Sequence, residues 1–428
     1  MKRKLIWWWK IIKQYLRNCS IHGVKYLVDD QLSRTERLFW LIFCMLSWVG
    51  CARMIMMVLS NFTSYPVALV AETFYTNWQT PFPAVVFCIS SNPKIKKYFK
   101  GNPGLFTNYS NPKFLRTSPK DLQLAYDVMR IPCPEILGRC TWNNVEFNCC
   151  TEFQELRKTG VGYCIAMNTF HLKKNGKPIV HYFVNRTVMY GDLIIDIRAD
   201  GEMRRYLFTE FTVHVFNNLE LPMFENLEQN EIRIKRGRTT RVDFTMVDTF
   251  NDDNVRKISV AYRKCRFFDE MQENNLFDAY STESCFLELV IERMIQLCGC
   301  VHFYYFVPPR GARVCNATET QCIIANKMNI TMHSIKEELC LTNCDGTKLS
   351  VNSLEPYEYD SPDDTYARVH FTLLSHPGMR YRRYVVTDRL DIIVSVGSAI
   401  GLFIGASILS IFEIPYWLFV RRDKIMED

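Results

Sequence analysis

The chain has no glycine-rich phosphate loop, no nucleophile elbow and no ligating cluster at metal spacing, which removes the usual signatures of nucleotide, acyl-transfer and metal-assisted chemistry. Its eight histidines are scattered, and His302, beside a run of cysteines, reads as a packed or exposed side chain rather than a catalyst. The middle of the chain also lacks internal repeats, long low-complexity tracts and heptads. No enzyme, no cofactor and no bound metal are therefore expected. Nor is a nucleic-acid stripe present. The net charge is +7, but much of the excess lies in the first 37 residues and in Arg421, Arg422 and Lys424, beside apolar runs. A cleavable leader is not expected either, because Trp7, Trp8 and Trp9 are followed by Lys10 and Lys13 before an apolar core develops. The first apolar run should then start translocation itself.

What is present is unevenly spread. Seventeen cysteines occur in 428 residues, and all but Cys19, Cys44 and Cys51 lie between Cys88 and Cys344. The remaining even number, confined to one region, reads as disulfides formed in an oxidising compartment. Five Asn-x-Ser/Thr sequons from the first apolar run onward agree with this: Asn61, Asn108, Asn185, Asn316 and Asn329. Glycan acceptors of this kind sit on exposed loops of the secretory lumen.

Apolar residues concentrate near the two ends. Residues 38–59 supply roughly the twenty positions that a bilayer crossing needs, with Arg53 as their one charge. Arg53 either snorkels toward the outer leaflet or faces a helix partner. Residues 390–420 are longer than one perpendicular crossing requires, so a tilt or an interruption is expected. Basic residues precede the first run and follow the second, which places both termini in the cytoplasm. The expected order is a cytoplasmic segment 1–37, a transmembrane helix 38–59, an extracellular cysteine-rich domain 60–389, a pore-lining helix 390–420 and a cytoplasmic tail 421–428. Short alternating segments such as 193–197 and 211–216 read as strands, and 281–296 reads as a helix. The expected fold class is a membrane protein with two transmembrane α-helices flanking a large, disulfide-rich α+β extracellular domain.

The second apolar run is unlike a simple anchor. Gly397, Gly401 and Gly405 recur every four residues and so share one helix face. Ser398, Ser407, Ser410 and Glu413 add polar groups that imply an internal aqueous path or close packing between subunits. The run Gly401-Leu402-Phe403-Ile404-Gly405-Ala406-Ser407-Ile408-Leu409-Ser410-Ile411-Phe412-Glu413-Ile414 closely resembles the pore helix of the degenerin/epithelial sodium channel family, in which a Gly-x-Ser tripeptide forms the narrow ion-selective belt. The resemblance implies a second helix broken at a Gly405, Ala406, Ser407 selectivity filter, where carbonyls and a hydroxyl replace part of a cation's hydration shell. It also implies that Val394, Gly397, Ser398, Gly401, Ser410 and Glu413 line the pore. For Glu413 two readings stay open, a carboxylate attracting cations at the inner mouth or one facing cytoplasmic water. Asp391 poses the same choice at the outer mouth.

Further matches spread the resemblance over nearly the full chain. Ser20-Ile21-His22-Gly23-Val24-Lys25-Tyr26 is similar to the family's cytoplasmic gating motif, which assigns gating to His22 and Gly23. Phe82-Pro83-Ala84-Val85-Val86-Phe87-Cys88 resembles the opening of the family's ectodomain. Gly162-Tyr163-Cys164, Tyr280-Ser281-Thr282-Glu283-Ser284-Cys285 and Cys298-Gly299-Cys300 repeat its cysteine landmarks. By that resemblance Cys88 pairs with Cys164, Cys265 with Cys344, Cys285 with Cys340, Cys298 with Cys322 and Cys300 with Cys315. Cys133, Cys140, Cys149 and Cys150 are left for two bridges, and spacing cannot choose among their three pairings. One rung of the family ladder is missing as a pair, since Leu289 and Glu338 stand where its two cysteines fall. Val394 stands where the family has a small residue, which implies a leaky or differently gated pore. Ser398 replaces a frequent second glycine, and Gly401 resembles a position that contributes to amiloride sensitivity.

The function so implied is one subunit of a trimeric, sodium-permeable, amiloride-sensitive cation channel in the plasma membrane, most similar to insect pickpocket-type subunits. Its expected partners are sodium ions, related subunits in a homo- or hetero-trimer, and the lipid bilayer. Asn108, Asn185, Asn316 and Asn329 are the expected glycan acceptors. A non-conducting or accessory receptor subunit of the same fold is the alternative, and the polar, glycine-rich second run argues against it, since leucine would satisfy an anchor. An ATP-gated trimeric channel shares the two-span plan but not the Gly-Ala-Ser and His-Gly matches.

Overall fold

The computed structural model describes residues 12–64, 66–73, 78–88, 130, 132–174, 177–185, 191–198, 211–227, 231–271, 276–302, 305, 312–330, 340–351, 357–360, 366–375, 379–386 and 388–420. Two compact units form: one from the chain ends with residues 253–263, the other from residues 69–252 and 264–383.

The larger unit is built on two sheets and a helical layer. In spatial order the first sheet runs Val67–Glu72, Arg380–Val385, Arg238–Asn251, Tyr366–Leu373, Leu193–Arg198, Leu137–Trp142 and Val145–Phe147, with Gly346–Val351 and Tyr357–Asp360 also paired to Arg238–Asn251. Arg238–Asn251 and Tyr366–Leu373 pair in parallel. Their side chains alternate, with Val242, Phe244, Met246, Ala367, Val369, Phe371 and Leu373 turned inward, the period of two that a strand imposes. The second sheet, Glu231–Ile234, Phe211–Phe216, Ala84–Cys88, Cys164–Met167 and Gln154–Leu156, is antiparallel throughout.

Ala84–Cys88 is buried on both faces. Val85 and Phe87 join the core shared with the first sheet, whereas Ala84 and Val86 join Leu287 and Ile291 of the helix Thr282–Cys298. That helix starts at Ser281, whose hydroxyl accepts from Ser284 N while Ser284 Oγ accepts from Ser281 N, and it ends at Gly299 with φ 69°. A reciprocal serine cap and a left-handed glycine are what fix its limits. Its other face, Phe286, Val290 and Met294, forms a second small core with Ile323 and Ile330.

Seven disulfides lace this unit. They join Cys88 to Cys164, Cys133 to Cys150, Cys140 to Cys149, Cys265 to Cys344, Cys285 to Cys340, Cys298 to Cys322 and Cys300 to Cys315. Cys88 and Cys164 are direct cross-strand partners. Arg382 and Arg383, just before the second apolar run, bond within this unit. Arg382 forks onto Asp252 at 2.8 Å through both pairs of atoms and reaches Glu72 at 3.2 Å. Arg383 donates to Cys344 O at 2.7 Å. Arg380 adds a 2.8 Å bond to Glu72, whose carboxyl these guanidiniums hold below the usual range.

Burial gives the unit two opposed responses to pH. Desolvation lowers His171, His214 and His302 to about 4 each, so all three fold neutral. Histidine with a depressed folded pKa contributes stability that is full above about 6.5 and is lost as pH falls toward about 4. Glu220 is raised to about 7 by burial and by Glu283, and Asp248 to about 6 by burial. Their cost is full above those values and vanishes in acid. We therefore expect Glu220→Gln to raise the unfolding midpoint at pH 8, by a gain on the order of 2–3 kcal/mol, and to change little at pH 4.5. Equal gains at both pH values in a thermal melt would remove this account.

In the smaller unit, Arg34–Ser64 is a 31-residue helix. It begins before the apolar run because Glu36 Oε2 accepts from Ser33 N and Ser33 Oγ, a reciprocal cap. Pro66 lies just beyond its end. Cys44 and Cys51 are its only buried residues, while apolar residues such as Leu46, Met56 and Met57 stand exposed. An apolar surface of that extent fits a lipid solvent. Arg53 is exposed on it.

Candidate functional site

The second apolar run is two helices rather than one. Arg389–Ile404 and Ile408–Pro415 meet at an angle of 70° across Gly405, Ala406 and Ser407, and a π-helical turn, Tyr416–Val420, follows Pro415. The tripeptide itself explains the break. Gly405 takes φ 69°, the left-handed conformation that ends a helix at low steric cost only for glycine. Ser407 lies at the N-cap of the next helix, its N–H donating to Ser410 Oγ at 3.0 Å. A C-terminal stop and an N-terminal start therefore lie two residues apart, with Ala406 between them.

A turn from the N-terminal segment docks on this break. His22 N donates to Ile404 O at 3.1 Å, which satisfies a carbonyl that the helix end leaves without an intrahelical partner. A Cβ on Gly405 would lie 2.0 Å from His22 Nδ1. Ser20 N donates to Glu413 Oε2 at 3.0 Å, and the Ser20 and Ser410 hydroxyls are 2.5 Å apart. Gly23, at φ 83°, caps the helix Val24–Val28 and presses on Cys44, whose Sγ would be 2.7 Å from a Cβ there. Tyr26 stacks on Trp40 at 4.3 Å. Gly50 admits Phe403, whose ring would lie 2.9 Å from an added Cβ. Cys19 is buried next to the docked turn, and burial pushes its thiol up. Asp30 receives Lys13 at 2.8 Å and also Arg17, which ties the helix over residues 12–18 to the approach of Arg34–Ser64.

The structure thus brings His22, Gly23, Gly405, Ser410 and Glu413 together. Val394, Gly397, Ser398 and Gly401 lie elsewhere, on an exposed stripe of the helix Arg389–Ile404, and Gly397 and Gly401 open onto empty space. Ser410 is buried rather than exposed. Asp391 accepts from Asp388 N at 2.9 Å, a local helix cap. Ser20 was the residue that the sequence did not single out. A serine two positions before His-Gly carries no signal until its partner 390 residues away is known. Among the glycan sequons, Asn329 is exposed, Asn185 is half-buried, Asn316 caps the helix Ala317–Ala325 through Glu319 N, and Asn108 lies outside the described residues. Among those residues no cluster of ligating side chains suits a metal.

A long lipid-compatible helix, an interrupted second apolar run and a disulfide-laced body define an integral membrane protein. The chain matches the model of the amiloride-sensitive sodium channel family over residues 15–417 and belongs to that family. It is 24% identical to sodium channel protein Nach of Drosophila ananassae, over 95% of this chain and 86% of that one. The Drosophila melanogaster Nach is 23% identical over the same shares. Pickpocket protein 28 of Drosophila melanogaster is 22% identical, over 95% of this chain and 78% of the relative. A solved proton-activated chloride channel overlaps 90% of this chain and 96% of its own at 7% identity, with a TM-score of 0.28.

Proposed function

We propose that this chain is a subunit of a sodium-permeable, amiloride-sensitive cation channel in the plasma membrane. Three copies, alike or with related chains, set their second apolar runs around one axis. The observation that carries this reading is the 70° break at Gly405-Ala406-Ser407 inside an apolar run. A lipid anchor gains nothing from an interrupted hydrogen-bond ladder, whereas a cation path needs backbone carbonyls freed from one. Residues 405–407 form the selectivity filter, and Val394, Gly397, Ser398 and Gly401 line the path. The body formed by residues 69–252 and 264–383 is a separate compact unit. Both termini are cytoplasmic, and that body is extracellular, where its seven disulfides persist. Asn108, Asn185, Asn316 and Asn329 carry its glycans. His22 and Gly23 gate through the docked turn, and Val394, larger than the family's usual residue there, props the upper path.

The test is current recorded in sodium and potassium solutions, with and without amiloride. Wild-type chain, expressed alone and beside related subunits, carries amiloride-blocked sodium current. Ser407→Leu loses sodium preference or current altogether at unchanged surface expression, and Val394→Ala lowers the resting fraction. A Ser407→Leu channel with wild-type sodium preference defeats the assignment of the filter.

A further inference from the structure

Glu413 has an occupation that an ion-attracting ring would not give it. Its Oε2 accepts the Ser20 backbone N–H at 3.0 Å, and the same serine places its hydroxyl 2.5 Å from Ser410 Oγ. Ser410 Oγ in turn accepts from Ser407 N at 3.0 Å. The hydrogen bonds therefore form a continuous chain from the carboxylate through the N-terminal turn to the residue that starts the lower helix. Ser410 is buried and Glu413 is half-buried. Two residues further along the docked segment, His22 N closes a second contact on Ile404 O at 3.1 Å. The turn is thus held on both sides of the break, above it through Ile404 and below it through Ser410 and Glu413.

We propose that Ser20, Ser410 and Glu413 form a latch that holds the N-terminal turn against the break, so that Glu413 is a positioning residue and not a source of attracting charge. This rests on the reading of residues 405–407 as the filter. The two roles for Glu413 differ in what they require. An attracting ring needs negative charge, because it raises local cation concentration through its field. A latch needs only an acceptor oxygen, which glutamine retains and alanine does not.

Two measurements decide. In the first, Glu413→Gln keeps the unit conductance and the sodium-to-potassium preference of wild type within about twofold, while Glu413→Ala lowers open probability at least about fivefold at equal surface expression. Ser20→Ala and Ser410→Ala each lower it, and the double variant does no more than the worse single one, as expected for two ends of one bond. If Glu413→Gln loses unit conductance as fully as Glu413→Ala, the charge matters and the latch is wrong. The second measurement needs no current. In a Cys19→Ser background, the pair Ser20→Cys with Ser410→Cys is oxidised in membranes, and the expected result is an intrachain crosslink found by peptide mass. Its absence, with both cysteines present at full length, overturns the latch. Absence of sodium current from the wild-type chain, together with the crosslink in the cysteine pair, would overturn the channel reading and leave the latch standing.

Discussion

Gly405→Ala is expected to cut sodium current at least about tenfold without removing the chain from the cell surface. Two costs combine at this position. The backbone sits at φ 69°, which costs an L-residue about 1–2 kcal/mol. The new Cβ would also lie 2.0 Å from His22 Nδ1 and 2.4 Å from His22 Cγ. Every atom that the Cβ would meet belongs to the imidazole, so the ring must leave its present rotamer or the docked turn must give way, while the bond from His22 N to Ile404 O holds the backbone in place. His22→Ala placed in the same chain should restore part of the current, because it removes the clash and leaves the backbone cost. No rescue at all would mean that the ring contact does not matter. Normal current from Gly405→Ala alone would mean that neither does.

The parts of this molecule that local chemistry determines were legible in the sequence. The length of the second apolar run called for a tilt or an interruption, and the family resemblance implied where. Gly405 and Ser407 supply the local reason, since they stop and start helices by their own preferences. Val242, Phe244 and Met246 alternate because a strand alternates. The helix Thr282–Cys298 announces itself through Ser281 and Gly299. Long-range choices were not legible. The pairing of Cys133, Cys140, Cys149 and Cys150 follows from a tight turn at Asn143 and Asn144, with φ 47° and 66°, which sets Cys140 opposite Phe147 across the hairpin. The short helix Cys149–Glu152 then returns Cys149 to Cys140 and leaves Cys150 for Cys133. Spacing alone gave no reason to prefer that answer. The partners of Arg382 and Arg383 could not be read for the same reason, since Asp252 and Cys344 lie far from them in sequence. Ser20 opens the quoted gating match but was given no role, because a backbone N–H reaching a distant carboxylate leaves no pattern in either segment.

Removing the Cys265–Cys344 bridge by Cys265→Ser with Cys344→Ser should lower the unfolding midpoint of the whole chain by about 3–5 °C, from a loss of about 3 kcal/mol. Its ends are 79 residues apart, and an unconstrained loop of that length would give a larger figure. The loop is not unconstrained. Cys285–Cys340 closes 55 of those residues, and Cys298–Cys322 and Cys300–Cys315 close shorter loops inside it. Each inner rung shortens the path that the outer one restricts, so the outer bridge removes less unfolded-state freedom than its separation suggests. What it adds is position. Cys265 begins the short pair of strands Cys265–Arg266 and Thr342–Asn343, and Arg383 Nη1 sits 3.3 Å from Cys265 Sγ while it donates to Cys344 O. The single variant Cys265→Ser should do more harm than the double one, because it leaves the Cys344 thiol free to exchange with the inner rungs. Melts of the purified chain, with thiol mapping, check both statements. An unchanged midpoint in the double variant would mean that the inner rungs already carry the whole restraint.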